Sequence, residues 1–148
     1  MINSFSGDYA FLSNFYPSRI PILLEEREKT FFNAPTVEHY FQYMKTLSDE
    51  EGHAILAAPT PGQAKRLGRK CQLRPDWEQV KVQVMRDALL LKFKQPEFKS
   101  KLLSTGNEFL VEGNDWNDTF WGVCGGKGRN MLGYLLMEIR EELKNEHK

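Results

Sequence analysis

Two cysteines in 148 residues exclude most of what cysteine builds. Cys71 and Cys124 stand far apart and form no Cys-x-x-Cys unit or Cys/His cluster, so no zinc site is expected. A single disulfide is the most they allow. The first segment, MINSFSGDYAFLSNFY, has neither the basic start nor the unbroken apolar run of a secretory signal. Reduced thiols in a cytoplasmic protein are therefore expected. An excess of either charge is also missing: 20 basic and 20 acidic side chains leave a formal net charge of +0. That removes any bulk attraction to nucleic acid or anionic membranes, although a local basic patch stays open. No window approaches the ~18 apolar residues a membrane span needs. Linkers, low-complexity tracts and internal repeats are absent as well, which leaves one domain over residues 1–148 with a sizeable core.

What is present is ordinary globular composition, with 41% hydrophobic, 27% charged and 12% aromatic residues. INSF and SRIPILLEE are extended candidates, and EREK reads as a turn into TFFN, a small hairpin. From Thr36 the signals become helical. TVEHYFQYMKTL opens on a capping threonine. Ser48 with Glu51 and Thr60 with Gln63 are capping pairs, and Pro61 takes a first helical position. DWEQVKVQVMRDALLLKFKQ is the longest helix, capped by Asp76, with Trp77, Val80, Val84, Met85, Ala88 and Leu91 on its apolar face. Pro96 starts a short helix ending near Gly106, NEFLVEG reads as a strand, and Asn130 caps a last helix. The fold class is α+β: mostly helical, with a small antiparallel sheet joining the first third to the strand near residue 110.

Three stretches are candidates for chemistry. In PTVEHYFQYMKTL, Glu38, Gln42 and Lys45 fall at i, i+4 and i+7, a polar row beside the apolar row of Val37, Phe41 and Met44. Helical ion pairs need i+3 or i+4 spacing. Glu38 and Lys45 are two turns apart, ~10 Å along the axis, so both can reach an object lying between them, where Gln42 sits. The alternative is a solvated polar row. In NDTFWGVCGGKGRN, Asp118 and Trp121 precede a glycine-rich run that lets the backbone approach a ligand and delivers N–H groups to the start of the last helix, where anions bind. It is not a Walker A loop, because Lys127 is not followed by Ser or Thr. The alternative is a structural loop whose tryptophans fill the core. In SNFYPS, Asn14 suits a turn, and Phe15, Tyr16 and Pro17 suit a hydrophobic plug. His39 points away from Glu38 on the helix, His53 belongs on the surface and His147 in the tail.

Taken together, SNFYPS, TVEHYFQYMK, AKRLGRK, DWEQVKVQVMRDALLLKF and NDTFWGVCGGKGRNMLGYLLMEIREEL resemble, in order and spacing, the NADAR superfamily. The likeness runs from about Phe5 to Leu143 and is greatest to its bacterial branch of YbiA-type N-glycosidases acting on riboflavin-biosynthesis intermediates. The combination E-H-x-x-Q-x-x-K with N-D-x-x-W-G is specific where neither piece alone is. The resemblance implies hydrolysis of the bond between a pyrimidine amine and C1 of ribose 5-phosphate in a small-molecule substrate. A sister branch removes ADP-ribose from guanine bases, and only that alternative, or a non-catalytic ADP-ribose-binding module, brings in nucleic acid or nucleotide. The basic residues Lys65, Arg66, Arg69, Lys70 and Arg74 form either a patch for such a ligand or the solvated face of a helix. By resemblance, Glu38 is the catalytic carboxylate, Lys45 an amine able to form a Schiff base with C1, and Asp118 a second acid. Gln42, Trp121 and Gly122 line the substrate, Trp77, Asn14 and Phe15 lie near the base, and Lys65, Arg69 and Asn130 serve phosphate or helix-cap roles. Neither a cofactor nor a metal is implied, and no oligomeric state. The chain departs from the pattern at Cys124-Gly125-Gly126, where relatives tend to carry a Gly-His-Gly run.

Overall fold

The computed structural model describes residues 1–23 and 31–146. Its contacts group the chain into two compact units, Asn14–Lys92 and Met1–Ser13 with Phe93–Lys148. The fold is α+β and mostly helical, as the sequence patterns indicate.

In the unit Asn14–Lys92, β1 (Ile20–Leu23) pairs antiparallel with β2 (Phe31–Ala34), Ile20 opposite Ala34. Ile20 and Ile22 are buried while Pro21 between them is exposed, the period of two expected of a half-buried strand. The expected EREK turn lies outside the described residues. Four helices follow: α1 (Val37–Met44), α2 (Asp49–Leu56), α3 (Pro61–Lys70) and α4, which begins at Trp77 and runs to Phe93. The first three start where the caps put them. Thr36, Ser48 and Thr60 accept from the backbone N–H of His39, Glu51 and Gln63 at 3.1, 3.3 and 3.1 Å, each satisfying one orphan donor. α1 packs on both strands and on α2 and α3. His39, whose ring is fully inside, bonds Thr36 Oγ1 through Nδ1 at 2.8 Å and the Ala58 carbonyl through Nε2 at 3.0 Å. The tautomer protonated at Nε2 satisfies both contacts, so this histidine is structural.

In the other unit, a 3-10 helix (Gly7–Leu12) packs against α5 (Pro96–Ser104), and α5 against α6 (Met131–Asn145). Leu132, Leu135, Leu136, Ile139 and Leu143 are buried along α6. The strand expected at NEFLVEG is mostly irregular. The N-terminus meets it through one parallel bridge, Ile2 with Leu110, and Gly113–Asn114 (β3) pairs parallel with Val123–Cys124 (β4). The sheet expected to join the first third to residue 110 is thus two separate pairs and a bridge. Buried Arg140 takes the place of sheet bonding there: its Nη1 donates to Thr105 Oγ1 at 2.9 Å and to the Glu108 carbonyl at 2.8 Å.

The sequence pattern passes over Lys92. It lies in the apolar run LLLKF, is fully buried, and its amine stands 5.9 Å from the centre of the Tyr16 ring. Burial pushes its ammonium down to about 7. The unfolded amine holds its proton up to about 10.4. Between those values the unfolded chain binds more protons, so stability is greatest above ~10.4, falls as the pH drops toward 7, and is level below. Lys92→Met removes that penalty. In urea titrations its stability relative to the parent is expected to be most favourable at pH 7 and to decline toward pH 10. A gap independent of pH contradicts this account of Lys92.

Candidate active site

α1 carries the row of polar groups. Glu38 stands in its first turn and is buried, with 7% of its surface exposed. A carboxylate this deep needs compensation. Its position at the positive end of the helix supplies one part, and the amide of Gln42 supplies another, donating from Nε2 to Glu38 Oε1 at 2.7 Å. Gln42 is itself buried, at 3% exposure. The spacing i, i+4 that marks the two in the sequence places one above the other on the helix. The turn SNFYPS fixes where the helix begins, since the Asn14 carbonyl accepts from Glu38 N at 3.1 Å. The Asn14 side chain donates to Met85 Sδ of α4 at 3.5 Å, a partner no sequence pattern suggests. Asn14 Oδ1 and Gln42 Oε1 are both buried and accept no hydrogen bond among the described residues.

Lys45 follows the last turn of α1, at the negative end of the helix. Its carbonyl accepts from Arg74 N at 3.0 Å, and Thr46 bridges Leu73, so the segment leading into α4 is tied to it. That tie brings Trp77 beside α1. Phe41 and Trp77 pack with ring centroids 5.0 Å apart, and the Lys45 amine lies 5.5 and 5.9 Å from their centres. Burial against these rings lowers the Lys45 pKa. Glu38 and Cys71 act the other way, and the like charges of Lys65 and Arg69 on α3 add to the lowering. Glu38, Gln42, Lys45, Asn14, Trp77, Lys65 and Arg69 are therefore gathered in one unit. Phe15, expected as part of a plug, is 44% exposed, because the turn points it outward.

Asp118, Trp121, Gly122 and Asn130 belong to the other unit. Asp118 Oδ1 accepts from Phe120 N and Trp121 N at 3.2 and 2.9 Å, and Asn114 Oδ1 accepts from Asp118 N at 3.0 Å. Trp121 stacks edge-on to Phe120, 4.7 Å between centroids, while Trp116 is 57% exposed and fills no core. The expectation of an anion site at the start of α6 is overturned. The N–H groups of Arg129, Asn130, Met131 and Leu132 donate to the carbonyls of Thr119, Gly122, Phe120 and Trp121 at 2.8, 3.2, 3.1 and 3.0 Å. The glycines serve this folding. Gly125 and Gly126, at φ 59° and 79°, make the tight turn from Cys124 to Lys127, and a Cβ on Gly122 would lie 2.2 Å from the Glu112 carbonyl oxygen. Asn130 stands at the start of α6, in the left-handed region at φ 52°, but its side chain does not cap the helix. It donates to the Leu110 carbonyl and accepts from Glu112 N, both at 2.9 Å.

A model of the NADAR domain matches residues 3–144. The chain is 46% identical over 147 residues to N-glycosidase YbiA of Escherichia coli (strain K12), which covers 97% of this chain and 87% of that one. An N-glycosidase of Nostoc punctiforme is 43% identical over 144 residues, covering 93% and 87%. A riboflavin biosynthesis protein of Vibrio vulnificus is 40% identical over 144 residues, covering 95% of this chain and 37% of that one. The solution NMR structure of Escherichia coli YbiA superposes with a TM-score of 0.81 at 41% identity, over 99% of this chain and 89% of that one.

The two bonds to Asp118 Oδ1 separate its structural part from any chemical one. Asp118→Asn keeps an acceptor oxygen and is expected to unfold in urea within about 0.5 kcal/mol of the parent, whereas Asp118→Ala loses about 1–2 kcal/mol. Equal stability of the two variants would contradict the turn assigned to this carboxylate.

Proposed function

The chain belongs to the NADAR domain family, and from that premise we propose that it is an N-glycosidase that cleaves a pyrimidine ribosylamine 5-phosphate. The bond broken joins the pyrimidine amino nitrogen to C1 of ribose, and ribose 5-phosphate leaves. The names of the relatives support the bond type, and the riboflavin biosynthesis protein among them supports the substrate class. The proposed setting is the cytoplasm. Among the described residues no helix is long and apolar enough to cross a membrane.

The observation that carries the reading is the place of Lys45: its amine lies 5.5 and 5.9 Å from the centres of the Phe41 and Trp77 rings, where burial lowers its pKa, two turns along α1 from a buried carboxylate. Protonation of the ribose ring oxygen opens the sugar and leaves C1 as an imine of the pyrimidine amine. Glu38 is the proposed source of that proton, held in orientation by Gln42. The neutral Lys45 Nζ adds to C1, the pyrimidine amine departs with a proton, and a C1–Lys45 imine remains. Water then releases the sugar aldehyde and returns the amine. By resemblance Asp118 is proposed as a second acid, and Lys65 and Arg69, whose charges reach Lys45, suit the 5-phosphate. The simpler acid–base route dispenses with the lysine imine.

Borohydride added during turnover separates the two routes. The imine route predicts a stable sugar adduct on Lys45, located by peptide mass spectrometry and missing in Lys45→Met; a trapped reaction without adduct contradicts it. Glu38→Gln is expected to slow sugar release by about two to four orders of magnitude. The imine route needs Lys45 unprotonated and Glu38 protonated at once, so the rate passes through a maximum with pH, one limb set by each group. A profile with a single titrating limb would sink this division of roles.

A further inference from the structure

The interior of α3 holds a glycine at position 68, where helix propensity disfavours one by about 1 kcal/mol relative to alanine. Gly68 is buried. A Cβ built on it would lie 1.8 Å from Gln42 Oε1, 2.7 Å from Gln42 Cδ and 3.2 Å from Gln42 Cβ. Two non-bonded heavy atoms do not approach to 1.8 Å, so the amide of Gln42 occupies the volume a side chain at 68 would need. The amide is thus enclosed on two sides. Its Nε2 donates to Glu38 Oε1 at 2.7 Å, and its Oε1 faces the bare Cα of Gly68. Turning the amide over would set its oxygen against the carboxylate and forfeit the bond. The buried Oε1 accepts no hydrogen bond among the described residues and lies in the space a Gly68 side chain would take.

We infer that Gly68 is a positioning residue of the reaction: having no side chain, it admits the Gln42 amide, which in turn orients the Glu38 carboxylate. The inference rests on the reading of Glu38 as the reacting carboxylate. Gly68 touches no reacting atom in this scheme. Any side chain there displaces Gln42 and removes the donor that favours the ionised form of Glu38.

The test uses Gly68→Ala, Gln42→Ala and the double variant. The pH at which Glu38 takes up its proton, read from its side-chain carboxyl carbon by NMR, needs no turnover. It is expected to move upward in Gly68→Ala, as in Gln42→Ala. Release of ribose 5-phosphate from the pyrimidine ribosylamine phosphate falls on the order of 100-fold in kcat/KM, with the limb of its pH profile that Glu38 sets moved the same way. The double variant matches Gln42→Ala alone, because the alanine at 68 acts only through the amide. A purely structural glycine would leave the Glu38 titration unmoved. An unmoved Glu38 titration in folded Gly68→Ala, or losses that multiply in the double variant, overturn the inference. Should Gly68→Ala not fold, the double variant decides: folded and equal to Gln42→Ala supports it, unfolded overturns it. If the parent chain releases no sugar, the proposed function fails while the titration still answers for Gly68.

Discussion

Everything at the candidate site depends on one buried hydrogen bond, from the Gln42 amide to the Glu38 carboxylate. An ionised carboxylate without such a donor would be costly at this depth. The bond sits within a frame that fixes both ends of α1. The Asn14 carbonyl and the Thr36 hydroxyl satisfy N–H groups of its first turn, and Arg74 and Leu73 hold the chain just past its last. The same frame seats Gln42 against α3, where Gly68 offers no obstacle.

The helix also sorts the charges. Glu38 occupies the end where backbone N–H groups favour an anion, and Lys45 the end where carbonyls favour a cation. The two charged groups therefore stand two turns apart, with the amide between them. Burial against Phe41 and Trp77 works against the cation at Lys45 and wins, since desolvation is the largest influence on its pKa. An amine poised in that way suits nucleophilic attack. Lys92, buried in an apolar run, is lowered by desolvation as well.

Much of this was legible in the sequence because it is local. Threonine and serine caps mark the starts of α1, α2 and α3 through bonds that span three residues. The row Glu38, Gln42, Lys45 follows from helical period. What was not legible depends on segments far apart in the chain. The carbonyls of 119–122 return to the start of α6 and occupy the N–H groups that an anion would need, and no local pattern announces that. NEFLVEG has the composition of a strand, yet Arg140 and Asn130 take carbonyls that a neighbouring strand would otherwise bond. Gly68 stands out only as an odd residue inside a helix. Its meaning appears once Gln42 lies across it.

The central claim is that the row on α1 cuts the bond between nitrogen and ribose C1 in a small phosphorylated substrate. The most direct measurement incubates the purified chain with a pyrimidine ribosylamine 5-phosphate and, in parallel, with ADP-ribosylated guanosine, and follows free sugar against time. The account predicts release of ribose 5-phosphate from the pyrimidine substrate at a rate far above its spontaneous breakdown. An intact pyrimidine substrate, with or without release of ADP-ribose from the guanosine, would contradict it.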